Sequence, residues 1–112
     1  MPHPYESFAM RFSADDKTFV YSGDVMDNDR LAVFAKDADL FLMEAALQQK
    51  DVHSKSAHLS AVRAGEIGMQ ANAKRMLITH LFPEYDERDV ISEVRQHYKE
   101  ARMIEENKTY EV

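Results

Sequence analysis

The stretch RMLITHLFPEYD, residues 75–86, runs from a short apolar segment through Thr79 and His80 into a break at Pro83. Met76, Leu77 and Ile78 have the length and composition of a strand covered on both faces. Proline cannot donate to a ladder, so Pro83 marks where the strand direction is abandoned. A buried strand that closes on a histidine has two readings. Either His80 is a half-solvated strand-end residue, or the strand delivers an imidazole to a site at the sheet edge.

Working outward, DLFLMEA (39–45) is a second continuous apolar run of strand length. Upstream, SFAMRFSADDKTFVYSGD (7–24) alternates apolar and polar residues around Ala14-Asp15-Asp16-Lys17, the pattern of a β-hairpin. Between hairpin and apolar strand, Leu31, Phe34, Ala35 and Ala38 share one helical face, with Asp27 or Asn28 as cap. After the polar loop QQKDVHSKSA, the segment HLSAVRAGEIGMQANA predicts a helix whose Ala61, Ala64, Gly65 and Gly68 permit close approach to a sheet. Asp86 caps a third helix that places Val90, Ile91, Val94 and Tyr98 on one side. The tail, residues 101–112, predicts two short strands about Asn107-Lys108. The resulting order, β-β-α-β-α-β-α-β(β), is that of an α/β layered fold.

The 112 residues form one domain, 1–112, and 45% apolar content suffices for a core. A formal net charge of −6 argues against a chain that grips nucleic acid over its whole surface, though not against a local basic patch. With no cysteine there is neither a disulfide framework nor a thiolate metal site, so a metal here must use His, Asp or Glu. No run of 18 apolar residues occurs, and MPHPYESF lacks the features of a signal peptide, so no membrane partner and a cytoplasmic location are expected.

In parallel sheets functional groups gather beyond the strand C-termini. That rule collects Asp24 after VYSG, Glu44 at the end of LFLM, and His80 after LIT; His58 opens the following helix with Ser60 in its first turn. Each has a plain structural alternative: turn residue or cap for Asp24, solvated strand end for Glu44, hydrogen-bonded histidine for His80. Costly groups placed together beside apolar runs call for a metal or for mutual pairing, which favours a site. His53 and His97 read as solvated, and the methionines as adaptable core filler.

Four motifs, YSGD, DLFLMEA, AHLSA and MLITHLFP, in this order and spacing resemble the second half of the metallo-β-lactamase fold, in the branch of ribonuclease Z and related phosphodiesterases. The resemblance covers nearly all of this chain but about half of that domain. It implies one half of a four-layer αββα sandwich, a mixed sheet with helices on one face. It further implies metal ligands at His3 (in HPYESFAMRF), Asp24 as the bridging carboxylate and His80 as the final histidine, in a centre of two zinc ions. Glu44 and His58 resemble the branch's proton-transfer pair, although EAA and HLS stand where Glu-Ala-Thr and His-Ser-Thr are common.

The family's H-x-H-x-D-H signature is absent, since no two of the five histidines stand two residues apart. By that mapping each zinc keeps two protein ligands here, against the three usual in catalytic zinc sites. The resemblance therefore implies the C-terminal part of a zinc-dependent phosphodiesterase, with the isolated chain inactive and binding zinc weakly or not at all. Phosphodiester or RNA substrate would be handled only by the complete enzyme. The alternative is a non-catalytic half-domain that oligomerises or serves as an interaction module. Either way the expected partner is a second copy or the missing N-terminal half, because one apolar sheet face lacks helices of its own.

Overall fold

A computed structural model describes residues 9–23, 29–45, 60–79, 86–105 and 108–112. Strands β1 (Met10–Ala14) and β2 (Lys17–Tyr21) pair antiparallel, with Ala14 opposite Lys17. Asp15 and Asp16 between them both have positive φ, 51° and 63°. Two such residues make the tight hairpin turn whose twist matches the strands, and aspartate tolerates that backbone region better than most side chains. The predicted turn lies where it was read.

The chain then alternates: α1 (Asp29–Phe34), β3 (Leu40–Glu44), α2 (Ala61–Gln70), β4 (Met76–Thr79), α3 (Glu87–Val94) and β5 (Arg102–Met103). The sheet order is β1-β2-β3-β4-β5, and β2 to β5 are all parallel. Parallel crossovers are right-handed, so strands added in one direction without reversal place every connecting helix on the same face. Val20, Phe41, Met43, Met76 and Ile78 form that face and join Ala61, Ala64, Ile67, Val90 and Val94 in one core. Arg11 also points there, donating from Nη1 to the carbonyls of Phe34 (2.8 Å), the last residue of α1, and of Lys36 (3.3 Å) just beyond it.

Alternation assigns Met10, Phe12, Phe19, Tyr21, Leu40, Leu42, Leu77 and Glu44 to the opposite, helix-free face. Its edge is open: Phe12 is 56% exposed and stacks on Phe19 with ring centroids 6.3 Å apart. Its centre is not, because Leu40, Leu77 and Glu44 are buried. The expectation of a bare apolar face thus holds for β1 and is corrected for the middle of the sheet.

Other expectations need correction. Phe34, the last residue of α1, is 39% exposed where the helical period put it inward, while Ala32 is buried along with the expected Leu31, Ala35 and Ala38. The proposed cap, Asp27 or Asn28, lies outside the described residues. Ser60 is the N-cap of α2, not a residue within its first turn; its Oγ accepts from Arg63 N at 3.1 Å. Gly68 does face the sheet, where an added Cβ would stand 2.5 Å from Met76 Sδ, but Gly65 faces the Val94 backbone of α3. Met69 lies on the solvent side of α2 at 59% exposure rather than in the core. Asp86 caps α3 as expected, its Oδ1 accepting from Arg88 N at 2.8 Å. Only β5 forms in the tail among the described residues, and 108–112 are not strand.

Asp39 ties the strand beginnings together. Its carboxylate accepts from Thr18 N at 2.8 Å and from Lys74 Nζ at 3.1 Å. The Thr18 amide, and then Lys74, hold its pKa below the ordinary aspartate value. A depressed carboxylate contributes stability above the unfolded pKa of about 3.9, and that contribution is lost as pH falls through the folded value. Asp39→Asn should therefore be less stable than the native chain at pH 6, with the difference shrinking below pH 4. Urea midpoints measured across that range check it; parallel curves for the two proteins would refute the linkage.

Candidate functional site

The parallel register brings three strand ends to one edge of the sheet. Tyr21 lies beside Leu42, and Glu44 beside Thr79. The ladder continues past the strands, with Ser22 N donating to Leu42 O (3.0 Å) and Ala45 N to Thr79 O (2.9 Å). Gly23, next in chain to Asp24, and Thr79, next to His80, therefore belong to the two strands flanking β3. Two inter-strand spacings put those strands about 10 Å apart.

Glu44 is the one predicted site residue within the described structure. It ends β3 at 2% exposure, on the helix-free face. An ionised carboxylate removed from water so completely requires compensation by charge or hydrogen bonds. His3, Asp24, His58 and His80 lie outside the described residues; the structure fixes the chain neighbours of two of them, Gly23 before Asp24 and Thr79 before His80.

Ser22 was not singled out from the sequence. It is fully buried, its Oγ accepts from Glu44 N at 3.0 Å and donates to Gly23 O at 3.0 Å. One hydroxyl thus joins the end of β2 to the end of β3. Gly23 follows with φ 67°, a conformation costing an L-residue roughly 1–2 kcal/mol, so glycine sets the direction in which the chain leaves toward Asp24. The signal was present in YSGD as a small hydroxyl residue and a glycine at the end of an apolar strand.

Helix α2 begins at this same edge. Its far end lies at the strand beginnings, where Asp37 N donates to Ala71 O at 2.8 Å and Gly68 packs on Met76. Its N-cap, Ser60, two residues after His58 in the chain, is therefore at the edge where β3 ends. His97 stands past the end of α3, with Nε2 3.8 Å from Glu66 Oε1, half exposed and away from this edge. Among the described residues no three His, Asp or Glu approach closely enough to hold a metal. The donor types at Asp24, His80 and His3 are nevertheless those that zinc accepts, imidazole nitrogen and carboxylate oxygen.

No protein-family profile matches the chain. The chain has the fold of metallo-β-lactamase proteins, and its homologues include named metallo-hydrolases. An uncharacterized protein of Mycobacterium tuberculosis is 36% identical over 86% of this chain and 36% of its own length. The probable metallo-hydrolase YhfI of Bacillus subtilis is 34% identical over 70% of this chain and 32% of its own. Ribonuclease Z of Brevibacillus brevis is 31% identical over 79% of this chain and 28% of its own. The crystal structure of YhfI, a metallo-β-lactamase fold protein, superposes with a TM-score of 0.84 at 26% identity, covering 92% of this chain and 43% of that one. Human tRNase Z, short form, shares the fold at a TM-score of 0.60 and 19% identity, over 88% of this chain and 39% of that one. The chain thus spans about a third of the length of these curated relatives.

Proposed function

We propose that this chain is the C-terminal part of a zinc-dependent phosphodiesterase of the metallo-β-lactamase fold, with Asp24, His80 and His3 as its share of the metal ligands. The observation that supports the reading is the convergence of the β2, β3 and β4 ends, which brings Gly23, Glu44 and Thr79 to one sheet edge; Asp24 and His80 are the next residues in the chain after Gly23 and Thr79. A dinuclear zinc centre, when bound, would supply a bridging water of lowered pKa and polarise a phosphoryl oxygen. Within this chain, Glu44 would orient the His58 imidazole, and His58 would protonate the leaving oxygen. A ring amide needs no such donor in the same way, so the pair favours a phosphodiester over a lactam.

The isolated chain should bind no zinc at sub-micromolar affinity and should not turn over phosphodiesters, since two protein ligands per metal remain. Co-expression with an N-terminal half carrying H-x-H-x-D-H should restore both. Calorimetry and RNA cleavage assays test this. Tight stoichiometric zinc in the isolated chain, or no gain of either property on reconstitution, would overturn the reading.

A second reading, a non-catalytic module that assembles through its sheet, has its support in the exposed Met10 and Phe12 on the helix-free face. Burying apolar area is worth about 25 cal/mol per Å², so an edge of this kind drives association with a second copy or with the other half of the fold. The isolated chain is expected to run as a dimer or larger species by light scattering at micromolar concentration, and Phe12→Glu should return it to a monomer. A native monomer would remove the self-association. No described helix is long and apolar enough to cross a membrane.

A further inference from the structure

The opposite end of the sheet carries a feature the site reading does not use. Where β4 and β5 begin, a cavity of ≈ 670 Å³ is lined by Lys74, Arg75, Arg95, Lys99, Arg102 and Lys108. Parallel pairing of Leu77 with Arg102 draws these six cations together from distant parts of a chain whose net charge is −6. Two of them are neutralised locally, Lys74 by Asp39 at 3.1 Å and Lys108 by Glu105 at 2.9 Å. The other four are not. Arg75 donates to the carbonyl of Glu111 and Arg95 to the carbonyl of Ala101 at 2.8 Å, which hold the guanidiniums in place without cancelling their charge. Lys99 and Arg102 are exposed and have no ion-pair partner among the described residues. Glu100 and Glu111 also line the cavity, yet neither forms an ion pair with any of the four.

The Glu105 hydrogen bond and charge raise the Lys108 pKa, in keeping with Lys108 being locally neutralised. Four unneutralised cations around a space of this size repel one another, and a multiply charged anion relieves the repulsion. Two guanidiniums fixed by backbone carbonyls provide forked donors suited to phosphate oxygens. The volume is that of a small-molecule site, and Leu77, Met76 and the Tyr110 ring give it an apolar wall. Tyr110 is held there by accepting from Glu105 N at 3.0 Å.

We propose that this cavity binds phosphate esters carrying two or more negative charges, at nucleotide size, with Lys99 and Arg102 as the exposed contacts. The inference is independent of the hydrolase reading, because it uses none of the residues at the strand C-termini. Such phosphates come either from a free nucleotide or from an RNA backbone.

Titration of the 112-residue chain with ADP and, separately, with a labelled twelve-residue oligouridine at low salt distinguishes the sources. At least one should bind, and Lys99→Ala combined with Arg102→Ala should weaken it by about tenfold or more. If the RNA binds, the double variant should also lower the slope of log K against log salt by about 1.4, two single-strand phosphate contacts. Binding of ADP alone assigns a free nucleotide, and binding of RNA a backbone phosphate. Both positions are exposed, so circular dichroism of the variant should be native, and Arg102→Lys with Lys99 intact should retain most of the binding. No binding of either probe below 1 mM, or equal binding by native chain and double variant, would overturn the proposal.

Discussion

Gly65→Ala should lower the melting temperature by about 8–12 °C, although alanine is the better helix former by roughly 1 kcal/mol. A Cβ built at Gly65 falls onto the carbonyl oxygen of Val94. The obstacle is backbone, so it cannot swing aside as a side-chain tip would. Helices α2 and α3 would have to separate, loosening Ala64 and Ile67 against Val90 and Val94, all of them buried. Overpacking of this kind costs about 1–3 kcal/mol, and more where backbone must move. Gly68→Ala is the internal control. There the two nearest atoms are Sδ and Cε of Met76, the far end of a flexible side chain, and Tyr98 Cδ2 follows at 3.2 Å. Its loss should be clearly smaller. Equal melting temperatures for the two variants would show that α2 and α3 do not meet as closely as described.

In the complete domain proposed above, His58→Ala should slow RNA cleavage by about 10²–10⁴ while leaving zinc content unchanged, as expected for loss of a general acid. The effect should depend on the leaving group. An RNA alkoxide is strongly basic and needs the proton; p-nitrophenolate departs readily without one, so its release should be far less affected. Glu44→Gln should have a milder effect on rate and should shift the acid limb of the pH profile, because Glu44 acts by positioning the imidazole. Its burial at 2% exposure makes it a stability risk as well, so the Gln variant, which keeps shape and hydrogen bonds, is the informative one. Loss of zinc in His58→Ala, or an equal penalty on both leaving groups, would assign His58 a different role.

The apolar runs around Phe41 and Ile78 announced parallel, doubly covered strands because no other element buries consecutive residues over so short a length. The hairpin was legible because Asp15-Asp16 is cheap in the turn that two strands require. What escaped sequence reading depends on geometry beyond periodicity. The face of Phe34, the last residue of a six-residue helix, was misjudged, although Ala35 and Ala38, read from the same period, are buried. Gly65 looked like a sheet contact because small residues declare close approach without naming the neighbour, here α3. The Ser22 bridge joins residues 22 apart in sequence, and the cationic cavity joins residues from Lys74 to Lys108, so each becomes visible only once the register is known. Four of the five expected site residues, His3, Asp24, His58 and His80, lie outside the described residues.

Strictly sequential strand order also has a kinetic side. Only the β1–β2 hairpin closes a short loop; every later strand must find its predecessor across a whole helix. Phe19 pairs with Leu40, whereas Phe41 pairs with Met76, the longest of the closures. Loop entropy grows with the logarithm of length, so docking β4 on β3 costs only about 0.5 kcal/mol more than docking β3 on β2. Each docked strand presents the free edge on which the next one pairs, so every closure after the hairpin is made against its immediate predecessor. The edge where Glu44 meets Thr79 therefore rests on the costliest closure in the sheet.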